Sequence, residues 1–200
     1  MIYIIRHGQT IWNLKKRKQG NLDSPLTLKG VDQARMCGSF LLSEIENLSD
    51  FQIVVSPQFR AKQHASIICE ILGLDFDDCI IEENLKEHCF GLWEGKTEEE
   101  ISVEFPDFLK KRYMPENYWS YIIPMGESYE LIYKRASSVL EKYKHKNIIY
   151  ICHEMISKVM VGNLMKYDRS TILHSKHNQN HIYRYNEHQN KLSKLNIKTE

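Results

Sequence analysis

MIYIIRHGQT, residues 1–10, is an apolar run that changes abruptly into Arg6-His7-Gly8. Short runs rich in β-branched and aromatic residues predict buried strands, here from Met1 to Ile5. In open α/β sheets, ligands bind just beyond the carboxyl ends of the strands. An arginine and a histidine at that point therefore indicate an anion site that contains a nucleophile. Gly8 would let the backbone approach the ligand.

The composition suits one globular domain, expected to span residues 1–200, because 42% of the residues are hydrophobic. The 27 Lys and Arg residues nearly balance 26 Asp and Glu residues, so neither a nucleic-acid nor a membrane partner is expected. A strand that begins at Met1 would leave no room for a signal peptide. Five scattered cysteines then predict unpaired thiols and a cytoplasmic location.

Strands and helices are predicted to alternate along the chain. After the first strand, residues 13–25 form a polar, turn-rich segment that predicts a loop. The further predicted strands are 51–55, 79–81, 147–152 and a hairpin near 182–185 and 192–195. Helices are predicted to begin at Thr27, Pro57 and Thr97 and to occupy 126–144 and 155–165. This order predicts a three-layer α/β/α fold with a mostly parallel central sheet.

Cationic side chains follow three of the predicted strands. Arg6 and His7 end the first strand, His153 follows residues 147–152, and Arg60 lies about one helical turn beyond residues 51–55. We expect these side chains to converge at one edge of the sheet. Guanidinium groups bind phosphoryl oxygens in a bidentate way, and a neutral imidazole can attack phosphorus. The pattern therefore predicts a phosphoryl-binding pocket.

The same residues belong to a series of motifs that spans most of the chain. The motifs are RHGQT (6–10), Asn13, QGNLDSPLTLKG (19–30), SPQFRAKQHA (56–65), LKEHCFGLWEGKT (85–97), MGES (125–128) and His153. In this order they resemble the histidine phosphatase superfamily, the phosphoglycerate-mutase-like enzymes. Each motif alone is a weak signal, whereas their joint order is specific.

The resemblance implies a role for each matching residue. His7 would be the nucleophile that becomes phosphohistidine, and Arg6, Arg60 and His153 would bind the phosphoryl oxygens. Glu87 would be the general acid for the leaving group and then the base for water, which requires a raised pKa. Asn13 would donate a hydrogen bond to the phosphoryl group. The expected substrate-binding residues are Asn13, Gln19, Gly20, Thr27 and Glu154. No metal or cofactor is implied.

Two positions depart from the family pattern. Glu154 stands where the family usually has glycine after the second histidine, and Gln63-His64 replaces the usual Gln-Thr. A carboxylate beside a phosphate pocket is unfavourable unless it points away. Glu154 therefore leaves open a phospho-ligand-binding protein without turnover, although a pure binder would not need Glu87.

The choice between phosphatase and mutase depends on the segment after EHCFGLWEG. Mutases of this family usually carry a longer insertion there, rich in arginine and proline. Residues 96–124 are compact here, which favours a phosphatase over a cofactor-dependent phosphoglycerate mutase. The expected partner is a small phosphorylated substrate, and a dimer is one option for the oligomeric state.

A third hypothesis concerns the histidines at 174, 177 and 181. Spacings of three and four residues suit a metal site, but no cysteine or carboxylate lies at ligand spacing. We therefore predict that His174, His177 and His181 lie at the surface or at the substrate rim, with metal binding as the alternative.

Overall fold

A mixed sheet forms the centre of the protein in the computed structural model, which describes residues 1–114 and 116–197. Its strands are β1 (Ile2–Arg6), β2 (Phe51–Val55), β3 (Ile80–Ile81), β4 (Asn147–Cys152), β5 (His181–Asn186) and β6 (Lys191–Asn196). They lie in the order β3-β2-β4-β1-β5-β6. The first four in that order are parallel, and β5 is antiparallel to both of its neighbours, β1 and β6.

Helices connect and cover the strands. In the described residues they are α1 (Ile11–Leu14), α2 (Leu28–Glu44), α3 (Phe59–Leu72), α4 (Glu98–Glu104), α5 (Pro106–Arg112), α6 (Tyr129–Lys142), α7 (Glu154–Met165) and α8 (Arg169–His174). Thr27 caps α2, and Thr97 forms a capping box with Glu100 at the start of α4, as their sequences predict.

The two faces of the sheet bury separate apolar cores, which explains why the central strands are apolar on both sides. One core packs Tyr3, Ile5 and Val55 against α2 and α3. The other packs Ile4 and Tyr150 against α6 and α7. The predicted α/β fold with a mostly parallel sheet is confirmed.

Several element boundaries differ from the sequence predictions. The helix predicted from Pro57 begins at Phe59, because Asp23 from a distant loop accepts hydrogen bonds from the N–H groups of Phe59 and Arg60. The helix predicted over 126–144 begins at Tyr129, after the Ser128 cap. The expected loop 13–25 overlaps the end of α1. Helices α5 and α8 were not predicted at all.

Gly8 and Gly30 allow two segments of the chain to pack closely together. A Cβ atom at Gly8 would lie 2.3 Å from the carbonyl oxygen of Gly30, and one at Gly30 would lie 2.1 Å from the carbonyl oxygen of Gln9. The two glycines thus allow the first turn of α2 to pack directly on the chain after β1. No helix within residues 1–114 and 116–197 is long and apolar enough to cross a membrane.

Candidate active site

A cavity of about 380 Å³ lies at the carboxyl ends of β1 and β4. Its walls include most of the residues that the sequence singles out, namely Arg6, His7, Asn13, Gln19, Gly20, Arg60, Glu87 and Glu154. Two of the predicted site residues, His153 and Thr27, are not in the wall. His153 is fully buried beside His7, whereas Thr27 uses its hydroxyl to cap α2.

His7 is held as a neutral imidazole with one nitrogen available. Its backbone N–H continues the sheet by donating to the carbonyl of Cys152 at 2.9 Å. Its Nδ1 lies 2.7 Å from the carbonyl oxygen of Gly8. A carbonyl only accepts, so Nδ1 carries the proton and Nε2 presents a lone pair. Burial, then Arg60 and Arg6, lower the pKa of His7 well below its usual range, which keeps the imidazole neutral near pH 7.

His153 is positioned by Ser56, a residue that no motif marks as part of the site. The two histidine rings lie edge to face, with centroids 5.1 Å apart. Nε2 of His153 lies 2.6 Å from Oγ of the buried Ser56. That oxygen accepts from the N–H of Gln58 at 3.4 Å, and its own proton has no acceptor among the described residues other than Nε2 of His153, to which we assign it. The proton of the neutral imidazole is then on Nδ1, a buried atom without a partner among the described residues.

Arg60 closes the loop that borders the cavity. Its terminal nitrogens donate to the carbonyl oxygens of Gly20 and Leu22 and to the carboxylate of Asp23, at 2.7–2.8 Å. Nε of Arg60 is buried and has no partner in the described part of the chain, and the same holds for Nε of Arg6. Together with Nδ1 of His153, these atoms form a set of buried donors suited to an anion.

Glu154 forms ion pairs with two cations of the cavity wall. Its carboxylate lies 2.8 Å from Arg6 and 3.0 Å from Lys158. Burial by itself would raise the pKa of Glu154, but Arg6 and Lys158 hold it below its usual value. The negative charge of Glu154 is therefore balanced by two cations. NH1 of Arg6, which pairs with Glu154, also donates a hydrogen bond to the carbonyl of His177.

Glu87 is buried in the cavity wall beside the start of α7. Its carboxylate accepts the N–H of His88 at 2.9 Å and that of Met155 at 3.1 Å. Burial raises the pKa of Glu87 and the charge of Glu154 acts in the same direction, while the backbone N–H groups and Arg60 oppose them. A carboxyl group with a raised pKa can both donate and accept a proton near neutral pH.

Asn13 is oriented by groups on its oxygen side. Its Oδ1 accepts the N–H of Thr10 at 3.1 Å and the amide of Gln179 at 2.8 Å. Since a backbone N–H can only donate, the oxygen assignment is secure, and Nδ2 remains as a donor. Gln19 accepts a hydrogen bond from Ser24, and Gly20 has a positive φ of 55° beside the carboxylate of Glu94.

The remainder of the wall consists of residues to which the sequence motifs assigned no role. It is cationic and aromatic, and it comprises Lys16, Arg17, Lys18, Phe90, Trp93, Arg112, Tyr113, Tyr118, Tyr129, Met155, Lys158 and Leu173. Arg112 is buried between the rings of Tyr118 and Tyr129, at 5.2 and 4.5 Å. No carboxylate in the described part of the chain pairs with it, although it donates to the carbonyls of Tyr118 and Tyr121.

The histidines at 174, 177 and 181, which the metal hypothesis groups together, differ in their burial and their contacts. His174 is exposed on α8. His177 is buried, stacks on Tyr183 with centroids 3.9 Å apart, and contacts Oγ of Ser157 at 2.9 Å. No cluster of three or more metal-ligating side chains occurs within residues 1–114 and 116–197.

Comparison with known families agrees with this geometry. The sequence profile described as "Histidine phosphatase superfamily (branch 1)" matches residues 2–198. The chain belongs to this superfamily. The resemblance drawn from the sequence motifs is therefore confirmed.

Relatives within the histidine phosphatase superfamily carry both phosphatase and mutase names. "Uncharacterized phosphatase PhoE" of Bacillus subtilis is 33% identical over 152 residues, which are 76% of this chain and 70% of the relative. "Probable phosphoglycerate mutase GpmB" of Photorhabdus laumondii is 29% identical over 168 residues, 82% of this chain and 74% of the relative.

A solved structure of similar fold is the alpha-ribazole phosphatase from Shigella flexneri. It superposes with a TM-score of 0.78 at 22% identity, covering 99% of this chain and 96% of the other. At that identity the likeness supports the α/β fold and leaves the substrate open.

Proposed function

We propose that this histidine phosphatase hydrolyses small phosphomonoesters through a phosphohistidine on His7. The observation that carries the proposal is the pairing of a buried neutral imidazole, whose Nδ1 is held by Gly8, with the buried carboxyl group of Glu87 in one cavity. The first supplies a nucleophile, and the second supplies a proton at the pH where the nucleophile is unprotonated.

The first step transfers the phosphoryl group to the protein. The lone pair on Nε2 of His7 forms a bond to phosphorus while the bond from phosphorus to the ester oxygen breaks. The carboxyl proton of Glu87 passes to that oxygen, which leaves as an alcohol. Because Nδ1 of His7 already donates to the Gly8 carbonyl, the positive charge that develops on the ring is stabilised there.

The second step returns the nucleophile. The carboxylate of Glu87 accepts a proton from water, whose oxygen bonds to phosphorus as the bond from Nε2 of His7 to phosphorus breaks. Inorganic phosphate leaves, and Glu87 is again protonated.

Charge on the phosphoryl oxygens would be stabilised by donors of the chain itself. Arg6, Arg60, Nδ1 of His153 and Nδ2 of Asn13 supply positive charge or N–H groups around the cavity. The proposed reaction therefore needs neither metal nor cofactor, and we expect a chelator to leave the rate unchanged. Gln19, Gly20 and Glu154 would border the leaving group.

A phosphoglycerate mutase is the second candidate, and Arg112 is the observation that favours it. A buried guanidinium without a carboxylate partner in the described residues could bind an anionic group on the leaving alcohol. A mutase would return the phosphoryl group from His7 to that alcohol before water attacks. We place it second because the sequence between 96 and 124 lacks the longer insertion of the family's mutases.

The proposal is tested by comparing two reactions of the purified protein. We expect release of inorganic phosphate from p-nitrophenyl phosphate and acid-labile phosphate on the protein, both lost in His7→Ala. His188→Ala, at an exposed turn, is the matched control and should behave as wild type. Efficient conversion of 3- to 2-phosphoglycerate with negligible hydrolysis would favour the mutase. Phosphate binding without any labelling of His7 would favour the non-catalytic binder.

A further inference from the structure

Helix α3 carries a buried histidine one turn after Arg60, on the same face. His64 is completely buried, and its Nδ1 accepts the backbone N–H of Gly8 at 3.1 Å. The carbonyl of the same Gly8 residue accepts the Nδ1 proton of His7 at 2.7 Å. Gly8 therefore connects His64 to the nucleophile through two hydrogen bonds, one at each end of the residue.

The protonation state of His64 follows from this contact. Because Nδ1 accepts from a backbone N–H, the proton of the ring is on Nε2. Burial lowers the pKa of His64 to about 3, so the ring is neutral at physiological pH. Nε2 is buried without a partner in the described residues, a cost that an apolar side chain would avoid. Packing alone thus does not favour histidine at this position.

The backbone N–H groups around the nucleophile are all bound, two of them by side chains. The N–H of His7 donates to the carbonyl of Cys152 at 2.9 Å, as part of the sheet. The N–H of Gly8 donates to His64, and that of Gln9 donates to Oε1 of Gln33 at 2.8 Å. The sheet ends at His7, so the orientation of the next peptide depends on these side chains.

We propose that His64 is a positioning residue that fixes the His7-Gly8 peptide. With Gln33 holding the following Gly8-Gln9 peptide, this places the Gly8 carbonyl that sets the direction of Nε2 of His7. The inference rests on the proposed role of His7 as nucleophile. Arg60 and His64 lie four residues apart, so one helical face would both bind the phosphoryl group and orient its acceptor. A misplacement of about 1 Å at a reacting atom can lower a rate by about a hundredfold.

Three substitutions separate the hydrogen bond from the packing. His64→Leu keeps an apolar volume but removes the acceptor. His64→Asn places Oδ1 where Nδ1 lies, and His64→Gln places its oxygen nearer the position of Nε2. We expect kcat for p-nitrophenyl phosphate to fall about 10- to 100-fold in the Leu and Gln variants. KM should stay within about twofold, and Asn should restore kcat to within about threefold of wild type, since it conserves the acceptor.

A matched control accounts for loss of stability. Ile68→Val removes one methylene from a fully buried position one turn further along α3, and Ile68 is not part of the cavity wall. It should lower the melting temperature by about 2–4 °C and leave kcat unchanged. If it lowers kcat as much as His64→Leu, or if Leu and Asn give equal rates, the positioning role is wrong.

A measurement without turnover separates this inference from the proposed function. The Nδ1 proton of His7 should give a slowly exchanging ring signal in ¹⁵N-histidine NMR, assigned by its loss in His7→Ala. We expect faster exchange in His64→Leu and wild-type behaviour in His64→Asn. Unchanged exchange in His64→Leu would overturn the positioning role even in an active protein. A protein that forms no phosphohistidine but shows these exchange differences would overturn only the proposed function.

Discussion

Ser56→Ala is the substitution that most directly tests how the second histidine is set up. In the structure the Ser56 hydroxyl is the partner of Nε2 of His153 at 2.6 Å, and both residues are fully buried. Removing the hydroxyl leaves Nε2 of His153 without a hydrogen-bond partner in the described region. It also removes the donor that, by binding Nε2, keeps the ring proton on Nδ1. The ring can then adopt the other tautomer, which presents a lone pair instead of a donor on Nδ1.

The structure sets the size of two separate effects. Leaving a buried ring nitrogen unsatisfied should lower the free energy of unfolding by about 1–3 kcal/mol. Losing one donor to the oxygens of the transition state lowers rates by roughly 10²- to 10³-fold in other enzymes. Because the Nδ1–H tautomer of His153 remains partly populated in Ser56→Ala, we expect kcat to fall about 10- to 100-fold.

The assay pairs kinetics with denaturation. Phosphate release from p-nitrophenyl phosphate gives kcat and KM, and urea denaturation gives the free energy of unfolding. Ser137→Ala is the control, because Oγ of Ser137 also makes a side-chain hydrogen bond, 2.8 Å to Asn163, outside the active-site cavity. It should lose stability with wild-type kcat. Wild-type kcat in Ser56→Ala would refute the assignment of the His153 tautomer.

Three further substitutions test the surroundings of the phosphoryl site. Burial raises the pKa of Glu87, so the contribution of this group to stability is present below its ordinary pKa of 4.5 and is lost as pH rises through the folded-state pKa. Glu87→Gln should therefore gain stability relative to wild type as the pH of the urea denaturation is raised from 4 to 8. A stability difference that does not change with pH would contradict this. Glu154→Gly removes a negative charge that competes with the substrate for Arg6. The repulsion between this charge and the phosphate dianion costs roughly 1 kcal/mol, so KM for p-nitrophenyl phosphate should fall about fivefold. An unchanged or higher KM would show that Glu154 does not oppose binding of the phosphate dianion. Gln179→Leu removes one of the two hydrogen bonds to Oδ1 of Asn13. Losing about 1 kcal/mol of substrate binding free energy should raise KM about fivefold, with little change in the free energy of unfolding. An unchanged KM would contradict a role for Asn13 at the proposed phosphoryl site.

The parts of this protein that the sequence predicted depend on short-range patterns. Apolar runs of five or six residues predicted β1, β2 and β4. Thr97 and Glu100, which lie three residues apart, predicted the start of α4. In parallel strands the carboxyl ends share one edge of the sheet. Residue type at the ends of two strands was therefore enough to predict that His7 and His153 would meet.

The predictions that failed involve partners far along the chain. Asp23 shifts the start of α3 from Pro57 to Phe59 across 36 residues, and the close packing of Gly8 on Gly30 was not predicted. No local pattern marks such contacts, because each depends on where a loop or helix is placed by the rest of the fold.

The sequence by itself determined the fold, the family and the candidate reacting groups, because apolar periodicity and residue chemistry act over a few positions. Only the tertiary structure decided how those groups are held. Ser56 reaches His153 across 97 residues, His64 reaches Gly8 across 56, and Gln179 reaches Asn13 across 166. These hydrogen bonds set the tautomer of each histidine and orient the amide of Asn13. They form only when the distant segments have packed together, so no local sequence pattern predicts them.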